Sequence, residues 1–166
     1  MLTDSQIDEL RPVLRTSQII VGALVLGVLN FAAVAAFIRT TGPQGPPNQA
    51  FITYVALASA GIATVAHFIV STVMTGQLRK SFVGDREGSV RPPAQAFQTL
   101  LIIRSAILEG AIFFCLVSYM PEGQTIAMVA AGVLLLLLLV QFPTMGRMSA
   151  WVENELMVAE QMRQLQ

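Results

Sequence analysis

A carboxyl group, a guanidinium and an imidazole interrupt runs of the sequence that are otherwise apolar: Glu109 and Arg104 share one run and His67 lies in another, while the Asn30 amide sits in a third. An ionisable side chain at the centre of an apolar helix costs about 2.5–3.5 kcal/mol on insertion scales, so each such group is a functional candidate by default. A carboxyl, an imidazole and an amide at similar depth suit cation binding or a proton relay. The competing reading is a satisfied polar network that fixes helix register. Acid–base catalysis needs a positioned constellation, and here only His67 and Glu109 offer themselves. The sequence has no nucleophile elbow and no phosphate loop. With one histidine and one cysteine, Cys115, it supplies neither paired haem ligands nor a His- or Cys-rich cage, so the expectation is no enzyme, no cofactor and no metal.

The elements that must position these groups are helices. Four stretches approach the roughly 20 apolar residues that cross a hydrocarbon core of about 30 Å: Ile19 to Ile38, Phe51 to Thr75, Phe97 to Met120 and Thr125 to Phe142. Of the 166 residues, 54% are hydrophobic and 12% charged, and the mean hydropathy is +0.66, outside the balance of a water-soluble domain. The expected fold is all-α, a single polytopic four-transmembrane-helix bundle. Lys and Arg equal Asp and Glu, which leaves no basic excess for a nucleic-acid backbone.

Basic residues set the orientation. Arg11 and Arg15 precede the first span; Arg79, Lys80, Arg86 and Arg91 separate the second from the third; Arg147 and Arg163 follow the fourth; Arg39 alone lies on the other side. By the positive-inside rule both termini and the middle loop are cytoplasmic, as in a bacterial inner membrane. Ala33, Val34 and Ala35 resemble a signal-peptidase site, but the acidic start (Asp4, Asp8, Glu9) and the long apolar run argue against cleavage.

Between the spans, Gly42, Pro43, Gly45, Pro46 and Pro47 predict a stiff connector, and Pro121-Glu122-Gly123 a tight turn that makes the third and fourth helices antiparallel neighbours. The middle loop, 76–96, with Gly84, Gly88, Pro92 and Pro93, reads as irregular or partly helical at the headgroup level. Both ends read as amphipathic helices. Ile7, Leu10 and Leu14 form a stripe before the first span, with Pro12 against a helix there. After Pro143, over 144–166, Met148, Trp151, Val152, Leu156, Ala159, Met162 and Leu165 recur at helical spacing. The acidic polar face of that tail (Glu153, Glu155, Glu160) fits docking on a partner or a second copy at least as well as lying on lipid.

Counted along the helices at ~1.5 Å per residue, Asn30 and Glu109 reach mid-membrane, with His67 and then Arg104 nearer the cytoplasm, close enough in depth for one shared layer. Arg104 and Glu109 point about 140° apart and do not pair within their helix. Arg104 is expected to snorkel toward phosphates, and Glu109 to pair with His67 or Asn30 or to remain protonated. The small residues Ala56, Ala60, Ala63, Thr64 and Ser71 around His67, and Ala23 and Gly27 below Asn30, form close-packing stripes.

The string Arg104-Ser105-Ala106-Ile107-Leu108-Glu109-Gly110, following the loop residues Arg91-Pro92-Pro93, resembles the second helix of the rotary ATP synthase proteolipid, subunit c. In that family an Ala-x-x-Glu carboxylate lies mid-membrane after an Arg-Gln-Pro loop. The resemblance implies that Glu109 carries an ion and that the second and third spans form the hairpin. It covers about a third of the chain; the alternating glycines of the family are missing, the loop is longer and two helices are added. Internally, shifting the first span onto the third aligns Leu29 with Leu108, Asn30 with Glu109 and Ala32 with Ala111, as a parallel repeat would. The leading expectation is a small non-enzymatic membrane subunit or scaffold that contacts lipid, other membrane subunits or its own copies. The alternative is proton or cation translocation through an oligomer.

Overall fold

Apolar runs that cannot hydrogen-bond to lipid satisfy their backbone internally, and the chain does so as helices throughout. The computed structural model describes residues 3–42, 50–82 and 90–164, without the side chains of 78–82, 159, 162 and 163. The helices are α1 (Asp4–Thr41), α2 (Phe51–Phe82), α3 (Arg91–Glu122), α4 (Thr125–Val140) and α5 (Met145–Gln164). Three of them, α1 to α3, are long and apolar enough to cross a membrane. A fourth crossing is reached if α4 and α5, bent by 67° at their junction, are counted as one broken span.

Two expectations, about the start of the chain and about its middle loop, are corrected. The amphipathic start is not a separate helix, because α1 runs unbroken for 38 residues, about 57 Å, through Pro12. Pro12 is exposed, and the hydroxyls of Thr16 and Ser17 bond to the carbonyls of Pro12 and Val13 just beyond it. The middle loop is also much shorter than 76–96. Helix α2 continues to Phe82, and α3 begins at Arg91 with proline in its first turn, where a missing N–H removes nothing from the ladder. Gly84, Arg86 and Gly88 lie outside the described residues, as do Pro43, Gly45, Pro46 and Pro47 of the connector between α1 and α2.

The centre of the molecule is α3. Of its apolar window 44% is buried, against 17% for α1 and 11% for α2. It packs against α1, α2 and α4 at once, while the backbones of α1 and α2, although consecutive, do not come close among the described residues. The shared core therefore consists of α3 side chains (Leu108, Ile112, Cys115, Leu116) met by Val28 and Ala35 of α1, Ala56 and Ala60 of α2, and Leu134 and Leu138 of α4. Alanines at the α2 contact let the backbones approach so closely that the Cys115 thiol reaches the Ala56 carbonyl at 3.8 Å. The helix pairs α1–α2 and α3–α4 thus pack differently, since only the backbones of the second pair come close among the described residues, and the arrangement is not that of two equivalent hairpins.

At the end of the bundle that holds Arg39 and Glu122, one carboxylate and one guanidinium tie three helices together. The Ile52 and Thr53 N–H groups at the start of α2 donate to the two carboxylate oxygens of Glu122, each at 2.8 Å, a capping role supplied from another helix. Helix α3 ends on Gly123, whose φ of 63° is the left-handed cap and whose N–H donates to the Tyr119 carbonyl at 2.8 Å. The Arg39 guanidinium occupies the space that a side chain on Gly123 would need, and donates to the Pro121 carbonyl at 3.5 Å.

At the other end Pro143 stops α4, and the Gln18 amide of α1 donates to the Pro143 carbonyl at 3.1 Å, holding the bend. Helix α5 then folds back on its own chain. Met148 and Val152 are fully buried with Leu10 of α1 and with Val90 and Ala94 at the start of α3, and Trp151 packs on Phe97 with ring centroids 5.6 Å apart. The first half of its apolar face is thus covered from within the chain, and the side chains of Ala159 and Met162, further along that face, lie outside the described residues. Leu165 lies outside the described residues.

Gly123→Ala is expected to lower stability by about 1 kcal/mol through the strained left-handed φ, with the Arg39 guanidinium moving aside. Glu122→Ala should lower stability measurably by uncapping the start of α2. Unfolding in mixed micelles measures both, and wild-type stability in either variant would contradict this latch.

Candidate functional site: polar groups at membrane depth

The fold separates the candidate residues into three environments. His67, 4% exposed, projects from α2 into the interface with α3, one turn below Ala63 on the small-residue stripe. Arg104, on the facing side of α3, brings Nη2 to 2.8 Å from His67 Nε2. A guanidinium can only donate, so Nε2 accepts and the ring proton resides on Nδ1. His67 Nδ1 and Arg104 Nε have no further partner within the described residues. The pair carries one positive charge, on Arg104, and its Nε2 is already engaged. Arg104 therefore does more than snorkel: it joins α2 to α3.

Glu109 faces the other way, as its roughly 140° divergence from Arg104 along the helix requires. It is half-buried against α1, where its Oε1 lies 3.9 Å from the point at which a side chain on Gly27 would begin. Gly27 leaves the room that the carboxyl group fills. Neither expected partner reaches it, because His67 is taken by Arg104 and Asn30 lies on the outside of α1. Among the described residues Glu109 makes no ion pair or hydrogen bond.

Asn30 is exposed, one turn beyond Gly27, and it too makes no hydrogen bond among the described residues. Its position near the middle of the apolar run places that exposed amide in the hydrocarbon. The hydroxyls nearby behave differently: Ser59, Thr64, Ser71 and Ser118 each donate to a carbonyl of the preceding turn. The chain thus absorbs much of its intramembrane polarity; among the described residues the Asn30 amide and the Glu109 carboxyl have no internal partner, nor do the buried hydroxyls of Thr53 and Ser105.

Chemically, the His67–Arg104 pair can hold an anion or a dipole but offers no free base at Nε2, whereas Glu109 can accept or release a proton or bind a cation. Among the described residues no three His, Cys, Asp or Glu side chains gather closely enough to hold a metal ion. The role of Gly27 as the space beside the carboxyl was not read from the sequence, although the Ala23–Gly27 stripe that signals it was.

A double-mutant cycle of His67→Phe and Arg104→Leu is expected to give a coupling of about 1 kcal/mol, in the range found for hydrogen bonds between membrane helices. Reversible unfolding in lipid–detergent micelles would measure it, and strictly additive effects would mean that the two side chains do not interact. Comparison with protein families, with curated proteins and with solved structures finds no match to this chain, so its function is argued from its own geometry.

Proposed function

We propose that this chain is a non-enzymatic integral membrane protein that acts as a subunit or scaffold of a membrane assembly. It crosses an inner bacterial membrane four times with both termini in the cytoplasm. The fourth crossing is α4, whose 16 residues span about 24 Å and require modest local thinning of the bilayer. The basic residues on the side of α5 and of the α2–α3 connection support this orientation.

One observation carries the proposal: Asn30 and Glu109 lie at membrane depth with no polar partner within the described residues. Lipid tails offer such groups no hydrogen bond, so a neighbouring protein chain is the natural source of one. The docked α5 fits this reading, since it closes the cytoplasmic end and leaves the lipid-facing sides of the helices as the surface through which the chain meets others. Mild extraction followed by native mass spectrometry should recover the chain in a complex with other subunits or with its own copies. Recovery as a lone chain under conditions that preserve other membrane complexes would contradict the proposal.

Proton or cation translocation is the second reading, favoured by the Glu109 carboxyl unpaired beside Gly27 and by the resemblance to the proteolipid hairpin. On that reading Glu109→Gln abolishes ion flux in proteoliposomes while leaving the fold intact, and equal flux in variant and wild type removes it.

A further inference from the structure

Along α1, Ile19, Ala23, Leu26, Asn30, Ala33 and Phe37 are separated alternately by four residues and by three, and every one of them is exposed. This is the heptad spacing of a two-stranded helical seam, here lying on the outside of the molecule with no helix of the described residues against it. Ile19, Leu26 and Phe37 are each more than half exposed, and the alanines between them are small enough to let a second backbone approach. In this register Asn30 takes the a-type position, where a single asparagine fixes partner number and alignment in parallel coiled coils.

We infer that α1 docks against α1 of a second copy, with the Asn30 amides hydrogen-bonded across a two-fold axis normal to the membrane. Three features select a second copy as the occupant. Copies inserted by the same rule share one orientation, so their first helices run parallel. A two-fold axis along the membrane normal places identical residues at identical depth, opposite each other. An amide, unlike a carboxylate or a guanidinium, both donates and accepts, so Nδ2–H of each Asn30 can meet Oδ1 of its mate. Since the backbones of α1 and α2 do not come close among the described residues, this face stays free while α3 holds the opposite one.

The inference rests on the reading of the chain as a subunit of an assembly and names one contact within it. The test uses the full chain in liposomes, in a Cys115→Ser background for cross-linking. Ala33→Cys, on the seam, is expected to form a covalent dimer on mild oxidation; Leu29→Cys, exposed but off the seam, is not. In dilution FRET between donor- and acceptor-labelled copies, Asn30→Leu should weaken self-association about three- to fifteen-fold, while Asn30→Gln retains most of it. Equal cross-linking at both cysteines, or unchanged association in Asn30→Leu, overturns the inference. Foreign subunits co-purifying while no copies cross-link overturns it and leaves the broader reading standing, whereas a lone chain in every measurement overturns both.

Discussion

Contact with α3 is the constraint on which the other helices depend. Consecutive helices usually pair, yet the backbones of α1 and α2 do not come close among the described residues, and each is held in place through the third helix. That arrangement needs one helix able to present different faces to three neighbours, and α3 does so with large aliphatics toward α1 and α4 and a close approach to the alanines of α2. Between apolar helices in lipid the hydrophobic effect adds little, because lipid tails are as apolar as leucine. Close packing and a few polar contacts must supply the specificity, and those contacts cluster on α3 and its ends: Arg104 to His67, Glu122 to the start of α2, and the Arg39 contact at its C-terminal cap.

The same scarcity of hydrogen-bond partners in hydrocarbon explains the positions of the polar side chains. The hydroxyls of Ser59, Thr64, Ser71 and Ser118 fold back onto their own helices, and the guanidinium finds the imidazole. Gln18 crosses from α1 to the carbonyl freed where Pro143 breaks the ladder. Against this background the exposed Asn30 and the half-buried Glu109 stand out, since neither makes a hydrogen bond or ion pair among the described residues. Both lie on or beside α1, the helix that only α3 holds firmly, so the polar groups left over point to one side of the molecule.

Much of this was legible in the sequence, for reasons of period and composition. Apolar runs of sufficient length located α1, α2 and α3, and the 3.6-residue recurrence after Pro143 located α5. The stripe Ala56, Ala60 marked the α2 face that meets α3. Less legible were helix ends in polar sequence: Gly76 and the Pro92–Pro93 pair suggested a long loop, but a glycine is tolerated within a helix and prolines in a first turn favour its start. What covers an amphipathic face also cannot be read from that face, and the cover for Met148 and Val152 came from Leu10 and Ala94, far away in the chain. The candidate site was legible as a set of residues at similar depth but not as a geometry, because rotation of α1 about its axis decides whether Asn30 faces Glu109 or lipid. No local signal fixes that rotation.

The central claim is that α3 lies between α1 and α2, and disulfide mapping in lipid bilayers tests it most directly. Ala56→Cys, placed against the native Cys115, should oxidise readily to an α2–α3 bridge. Phe31→Cys with Phe113→Cys, in a Cys115→Ser background, should bridge α1 to α3 where the two rings now meet edge to face with centroids 5.0 Å apart. Phe31→Cys with Ala60→Cys, drawn from α1 and α2 at similar depth, should remain reduced. Ready bridging of that third pair, with failure of the first two, would show that α1 and α2 pack on each other and would contradict the account.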